Sequence, residues 1–191
     1  MKKLMDFFRA QSNKRKEKAE IARLRTDLRD PQVGVQFRAA LALAEKEEES
    51  GIVFLGAFLF AEDDDVQSKA IEALERLGSK AIGGLGQLVT NKLGEYKRLQ
   101  ADMHYRIDSS RDYQADQLSQ AARRALELRD TGPALLSAKK ESILTLVRFM
   151  GKIGDDTDVP VFKLISEYAD DREVREETAK IIEHLKSPGD K

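Results

Sequence analysis

The sequence predicts an all-α chain, an α-α superhelix in which four or five helical hairpins stack as a right-handed solenoid. Three observations carry this prediction. The stretch Glu62 to Leu77, EDDDVQSKAIEALERL, opens with carboxylates suited to a helix N-terminus and sets Val66, Ala70, Ile71, Ala73, Leu74 and Leu77 on one apolar stripe. The same pattern recurs in Leu28 to Ala44, LRDPQVGVQFRAALALA, and in Tyr168 to Leu185, YADDREVREETAKIIEHL. The aligned valines Val33, Val66 and Val174 lie 33 and 108 residues apart, the second interval being three periods of 36, and such a period holds one helical hairpin. Weaker copies fill the interval from Gly78 to Asp158. The clearest is Ala138 to Gly151, where Ile143, Leu146 and Phe149 repeat the roles of Ile71, Leu74 and Leu77.

Taken in order, residues 2 to 12 predict a short amphipathic helix with Leu4, Met5, Phe7 and Phe8 clustered. Residues 1 to 18 form a basic segment: Lys2, Lys3, Arg9, Lys14, Arg15, Lys16 and Lys18 against Asp6 and Glu17 give a formal side-chain charge of +5. Such a segment suits a cap over the first repeat, or a contact with an anionic membrane surface, phosphate or a partner. The repeat domain is expected over residues 19 to 187, with a polar tail at 188 to 191. Helix resumes over Ala19 to Leu28 through Ile21, Leu24 and Leu28. Asp30 and Pro31 then mark a helix start, the aspartate capping amides and the proline entering the first turn. That helix runs to about Glu45, and Ala39, Ala40, Ala42 and Ala44 permit close approach of another. A turn is expected at Ser50 and Gly51.

Gly51 to Ala61 is apolar on nearly every side, as expected for an inner helix of a layered array. Its 11 residues fall short of the about 20 that cross a bilayer. Glu62 to Leu77 follows and breaks at Gly78 and Ser79. Ala81 to Leu93 has helical spacing in Ile82, Leu85, Leu88, Val89 and Leu93. Its Gly83, Gly84 and Gly86 either weaken the helix or allow close packing, and the sequence leaves both open. Helix continues to about Met103, with a turn near Asp108 to Ser110. Arg111 to Arg129 is the next helix, ended by Thr131, Gly132 and Pro133, and Ala134 to Lys152 the one after. Val159 to Tyr168 is a short helix on Val161, Phe162, Leu164 and Ile165. The last, Arg172 to Leu185, uses Val174, Ala179, Ile181, Ile182 and Leu185.

Composition narrows the functional classes. Over 191 residues, 41% hydrophobic and 35% charged content with 12 Gly and 4 Pro suits a folded helical protein rather than a disordered one. The net charge of −1 argues against a surface built wholly for nucleic acid. With no cysteine, disulfides, thiol nucleophiles and thiolate zinc sites are absent. Charge interrupts MKKLMDFFRAQSNKRKEK before an apolar core reaches signal-peptide length, so a cytoplasmic location is expected.

The individual motifs point to structure more than to chemistry. Gly83-Gly84-Leu85-Gly86 lacks the following Gly-Lys-Ser/Thr of a phosphate loop. Asp155, Asp156 and Asp158 lack the alternating oxygens and distal glutamate of a calcium loop, and these acids, like Asp63, Asp64 and Asp65, read as helix-capping turns. His104 and His184 have no companion at metal-ligand spacing, and His184 suits the last turn of a helix. No G-x-S-x-G elbow is present. No cofactor, metal or catalytic activity is expected.

Aspartate-rich hairpin starts, a first-turn valine and a following A-x-x-x-L resemble HEAT or HEAT-like repeats. The residues are Asp64, Asp65, Val66, Ala70 and Leu74 in one copy, and Asp170, Asp171, Val174, Arg175, Ala179 and Ile182 in another. The position after the valine is Arg175 in the last copy and Gln67 in the second. The resemblance implies a non-catalytic scaffold or adaptor whose concave face holds a protein partner. Residues 92 to 140 are the expected binding region, with Tyr96, Arg98, Tyr105, Arg106 and Tyr113 as candidate hot spots, because tyrosine and arginine are favoured in interfaces. The alternative is nucleic-acid backbone binding by Lys92, Lys97, Arg98, Arg106, Arg123, Arg124, Arg129, Lys139 and Lys140, on the pattern of HEAT-like DNA-repair glycosylases.

Overall fold

The computed structural model describes the backbone of residues 2–110 and 120–187, and the side chains of residues 11–103 and 131–187. The described residues are helical, with no strand among them. The chain divides into two compact units, Met1–Gly84 and Leu85–Lys191.

The first unit begins with α1, Lys2–Asp27, a single helix where the sequence predicts two segments. The polar run from Ser12 to Lys18 contains no glycine or proline, so nothing in it interrupts the backbone ladder. α2 spans Val33–Glu45 rather than starting at Pro31. Gln32 stands at its N-cap, and the Asp30 carboxylate accepts the Gln32 amide at 2.8 Å. The turn after α2 is Lys46–Glu48, not Ser50–Gly51. Glu47 takes φ 60°, the Glu48 amide reaches the Leu43 carbonyl and the Glu47 amide reaches that of Ala44, both at 2.9 Å, which closes a Schellman motif.

That closure leaves Gly51 inside α3, Glu49–Phe58, where it lies against α2. A Cβ on Gly51 would stand 2.4 Å from the Ala44 nitrogen and 2.6 Å from the Ala40 carbonyl oxygen. The alanines of α2 admit this approach, and Leu43, Ile52 and Leu55 fill the core beside it. α4, Asp64–Leu77, is capped by Asp63, whose Oδ1 accepts the amides of Asp65 at 2.9 Å and Val66 at 3.3 Å. Ala70, Ala73 and Leu74 are its buried stripe. Gly78, at φ 57°, ends it and opens a 3-10 turn, Gly78–Ala81.

α5, Ile82–Ser110, runs through the turn expected near Asp108. Its glycines settle the question the sequence leaves open. Gly83 meets nothing, but a Cβ on Gly84 would lie 2.7 Å from Ile52, and one on Gly86 2.6 Å from Val161. Two of the three are therefore close-packing positions.

The second unit takes the rest of α5 with α6, Gln120–Ile153, α7, Val159–Tyr168, and α8, Arg172–Lys186. α6 passes through Pro133, where the sequence predicts a break. Gly132 is buried, and a Cβ there would come 2.7 Å from the Met103 sulfur of α5, so packing holds the segment at the residue preceding the proline. Leu85, Val89, Leu93, Ile143, Leu144, Leu146, Val147, Met150, Phe162, Ile165 and Val174 make the core. Ala179, expected in that core, is exposed, and Thr178 is buried instead with its hydroxyl donating to the Val174 carbonyl at 2.6 Å. A hydrogen bond within its own helix makes that burial tolerable.

Candidate interaction surface around the turn between α7 and α8

Between α7 and α8 the chain reads Tyr168-Ala169-Asp170-Asp171. Ala169 is buried and ends α7 in an extended conformation, which leaves the two aspartates to start α8. Asp171 Oδ1 accepts the amides of Glu173 at 2.9 Å and Val174 at 3.3 Å. These are the two bonds that Asp63 makes at α4, so the aspartate-to-valine spacing in the two copies encodes one cap.

The other carboxylate oxygen of Asp171 ties this turn to α5 and α6. It accepts the Tyr96 hydroxyl at 3.3 Å and lies 4.0 Å from the Lys140 ammonium, which also pairs with Glu173 at 2.8 Å. Tyr96 is half-buried, not an exposed anchor. Burial, then the Asp171 charge and hydrogen bond, raise its hydroxyl above the usual phenol range. Beside it, Lys97 pairs with Asp170 at 3.0 Å and sits 4.3 Å from the centre of the Tyr168 ring. Such a stacked cation orients the ring as well as attracting it.

Lys139 pairs with Glu95 at 2.8 Å, and Lys92 is half-buried, with burial lowering its ammonium below the usual lysine range. Arg98 is exposed. Tyr105 and Arg106 belong to the backbone of α5, but their side chains lie outside the described residues, as do those of His104, Arg123, Arg124 and Arg129. Tyr113 lies outside them altogether. The structure thus brings Tyr96 into a cluster with Lys97 and Lys140 and leaves Arg98 at its edge.

The outer face of α7 is apolar, and Leu164, expected with Val161, Phe162 and Ile165 among the packing residues of this helix, lies on it. Val159, Phe162 and Ile165 point into the core, whereas Leu164 is 59% and Tyr168 41% exposed. Pro160 is exposed as well, so residues 160, 164 and 168 make a stripe at intervals of four. Exposed Lys163 and Glu167 border it. The signal was present in the sequence: a ten-residue helix with apolar residues on opposite sides cannot bury both against one neighbour.

The acidic turn before α7 is a cap. Asp155 accepts the Thr157 amide at 2.9 Å, and Asp158 accepts that of Asp155 at 2.9 Å. Burial first, and then the Asp155 and Asp156 charges, raise the Asp158 carboxyl, against the lowering effect of its backbone bond. Among the described residues no three acids or histidines gather as a metal-binding group. His184 is exposed in the last turn of α8. Among the described residues no helix is long and apolar enough to cross a membrane.

Comparisons with protein-family models, curated proteins and solved structures found no match.

Proposed function

We propose that the chain is a non-catalytic protein-binding scaffold or adaptor, a HEAT-like stack of helical hairpins whose outward helix faces hold a protein partner. The observation that carries this reading is the exposed stripe of Pro160, Leu164 and Tyr168 on α7. A helix that fills the core with one side and offers leucine and tyrosine on the other has the apolar centre and charged border of an interface. The partner it fits is an amphipathic helix, with apolar residues for Leu164 and Tyr168 and charges for Lys163 and Glu167. Tyr96 and Lys97 act as support, holding the turn and the Tyr168 ring in place, and Arg98 contributes at the rim. The repeated aspartate caps at Asp63 and Asp171 support the repeat reading.

Nucleic-acid backbone binding is the weaker reading, because Lys97, Lys139 and Lys140 each have a carboxylate partner and offer phosphate no bare positive strip. The test is affinity capture from a lysate with the full chain, beside Leu164→Asp and the distant control Lys69→Ala, each checked for helical content. A stoichiometric protein lost at least about tenfold with Leu164→Asp and retained with the control is the expected result, given that interface anchors carry about 2 kcal/mol or more. Equal recovery by Leu164→Asp would remove α7 as the site. Nuclease-sensitive material in place of protein would move the reading to the basic positions.

A further inference from the structure

Residues 11 to 20 of α1 are another surface without a role in the core. Side chains 11 to 20 are all exposed, and among the described residues of this segment packing begins with half-buried Ile21, Leu24 and Asp27 and with buried Leu28. Between Lys2 and Glu20 the helix extends about 27 Å at about 1.5 Å per residue. The bases nearer the body are engaged: Arg23 with Asp27, Arg25 with Glu48, and Lys46 with Glu20. Lys14, Arg15, Lys16 and Lys18 form no ion pair among the described residues. With residues 1 to 18 at +5 and the whole chain at −1, residues 19 to 191 carry −6, so the positive charge is concentrated on this helix.

We propose that α1 is a basic arm that seats the chain on the surface of an anionic lipid bilayer. At about 100° per residue, positions 4, 5, 7 and 8, which are Leu, Met, Phe and Phe, fall within roughly 160° of the circumference, and Arg15 and Lys18 continue on that side. Such an arm places apolar groups at the acyl boundary and bases among the headgroups one to three turns further along. It lies on the bilayer and does not cross it. A nucleic-acid backbone would use the bases but offers no place for two phenylalanines. The acidic remainder does not oppose binding strongly, because the length of the arm exceeds the Debye length of about 8 Å at physiological salt.

The test is co-sedimentation of the full chain with phosphatidylcholine vesicles containing or lacking about one third phosphatidylserine, at physiological and at high salt. Binding is expected only with phosphatidylserine, and high salt is expected to weaken it. Joint substitution of Lys14, Arg15, Lys16 and Lys18 by glutamate lowers the partition coefficient on the order of 100-fold or more. Phe7→Ser with Phe8→Ser lowers it as well, while Leu164→Asp leaves it unchanged, which keeps the arm distinct from the α7 surface. Circular dichroism confirms that each variant is folded. No phosphatidylserine-dependent binding by the folded full chain overturns the proposal. So does binding that withstands both sets of substitutions, or tight binding to duplex DNA or RNA that the Phe7 and Phe8 substitutions leave intact.

Discussion

Gly51 shows what a single residue contributes here. Its Cα faces the backbone of α2, where a methyl group would collide with Ala44 and Ala40 atoms that cannot rotate away. Gly51→Ala is therefore expected to destabilise the chain by about 1–3 kcal/mol, the cost of overpacking, although alanine favours helix more than glycine does. Thermal or denaturant unfolding measures it, and a neutral or stabilising effect would show that α2 and α3 can separate without loss. Glycine was legible as special at this position, but its role was not. The sequence offers a glycine after an acidic run as a turn, and only the Schellman closure by Glu47 and Glu48 reveals that the turn is already made.

Asp158 is a carboxylate whose charge the fold resists. Burial and two neighbouring carboxylates raise its folded carboxyl above the unfolded value, so the protonated form is the one that folding favours. Stability from this group is fully present below the unfolded carboxylate range and is lost as pH rises through the raised folded value. Asp158→Asn keeps an oxygen for the Asp155 amide and removes the charge. Its melting temperature is expected to exceed that of the parent at pH 7, and the difference is expected to vanish at a pH below the unfolded carboxylate range. A difference that persisted unchanged at low pH would assign it to something other than ionisation.

At the scale of the element, the best-read helices have strong signals at both ends. α4 and α8 begin at aspartate caps and α7 follows a capping box, and all three lie within two residues of their expected bounds. The sequence predicts two helices each where α1 and α6 run unbroken, and ends α5 near Met103, because polarity, or a Gly-Pro pair, looks like a boundary. A long helix needs no apolar residue in an exposed turn, so polarity alone does not end it.

Pro133 in α6 is the sharper lesson: local preference opposes helix there, and the chain continues through with Gly132 packed on Met103. Because Pro133 is exposed, Pro133→Ala sacrifices little packing and restores a donor to the backbone ladder. We expect it to stabilise the chain by about 1–3 kcal/mol, read from denaturant midpoints. Destabilisation would mean that the proline ring itself supports the second unit.

For the whole molecule, periodicity made the all-helical class legible and the aspartate caps made the starts of α4 and α8 legible, but the three aligned valines do not share one role. Val174 is buried, Val66 half-buried and Val33 48% exposed. The first of these helices starts at Val33 rather than at Pro31, with Gln32 at its N-cap. The Asp30 carboxylate accordingly caps one amide where Asp63 and Asp171 cap two. The candidate surface was less legible than the fold. The pairings of Tyr96 with Asp171 and Lys97 with Asp170 join residues more than 70 apart, and no local pattern announces them.

Each unit has its own core, and in a repeat architecture the energy of one hairpin is carried chiefly by its neighbours. Gly51 and Gly151 are close-packed glycines in different units. A Cβ on Gly151 would lie 2.9 Å from Ile181, as one on Gly51 would crowd α2. Gly51→Ala should then lower amide-exchange protection most in α2 and α3, and Gly151→Ala most in α6 and α8. Hydrogen exchange resolved by peptide distinguishes this from a single cooperative core, for which either substitution would lower protection in both units alike. The localised outcome would support the HEAT-like stack on energetic grounds that do not depend on sequence resemblance, while the uniform one would leave the repeated caps as a local device within an all-helical protein of another architecture.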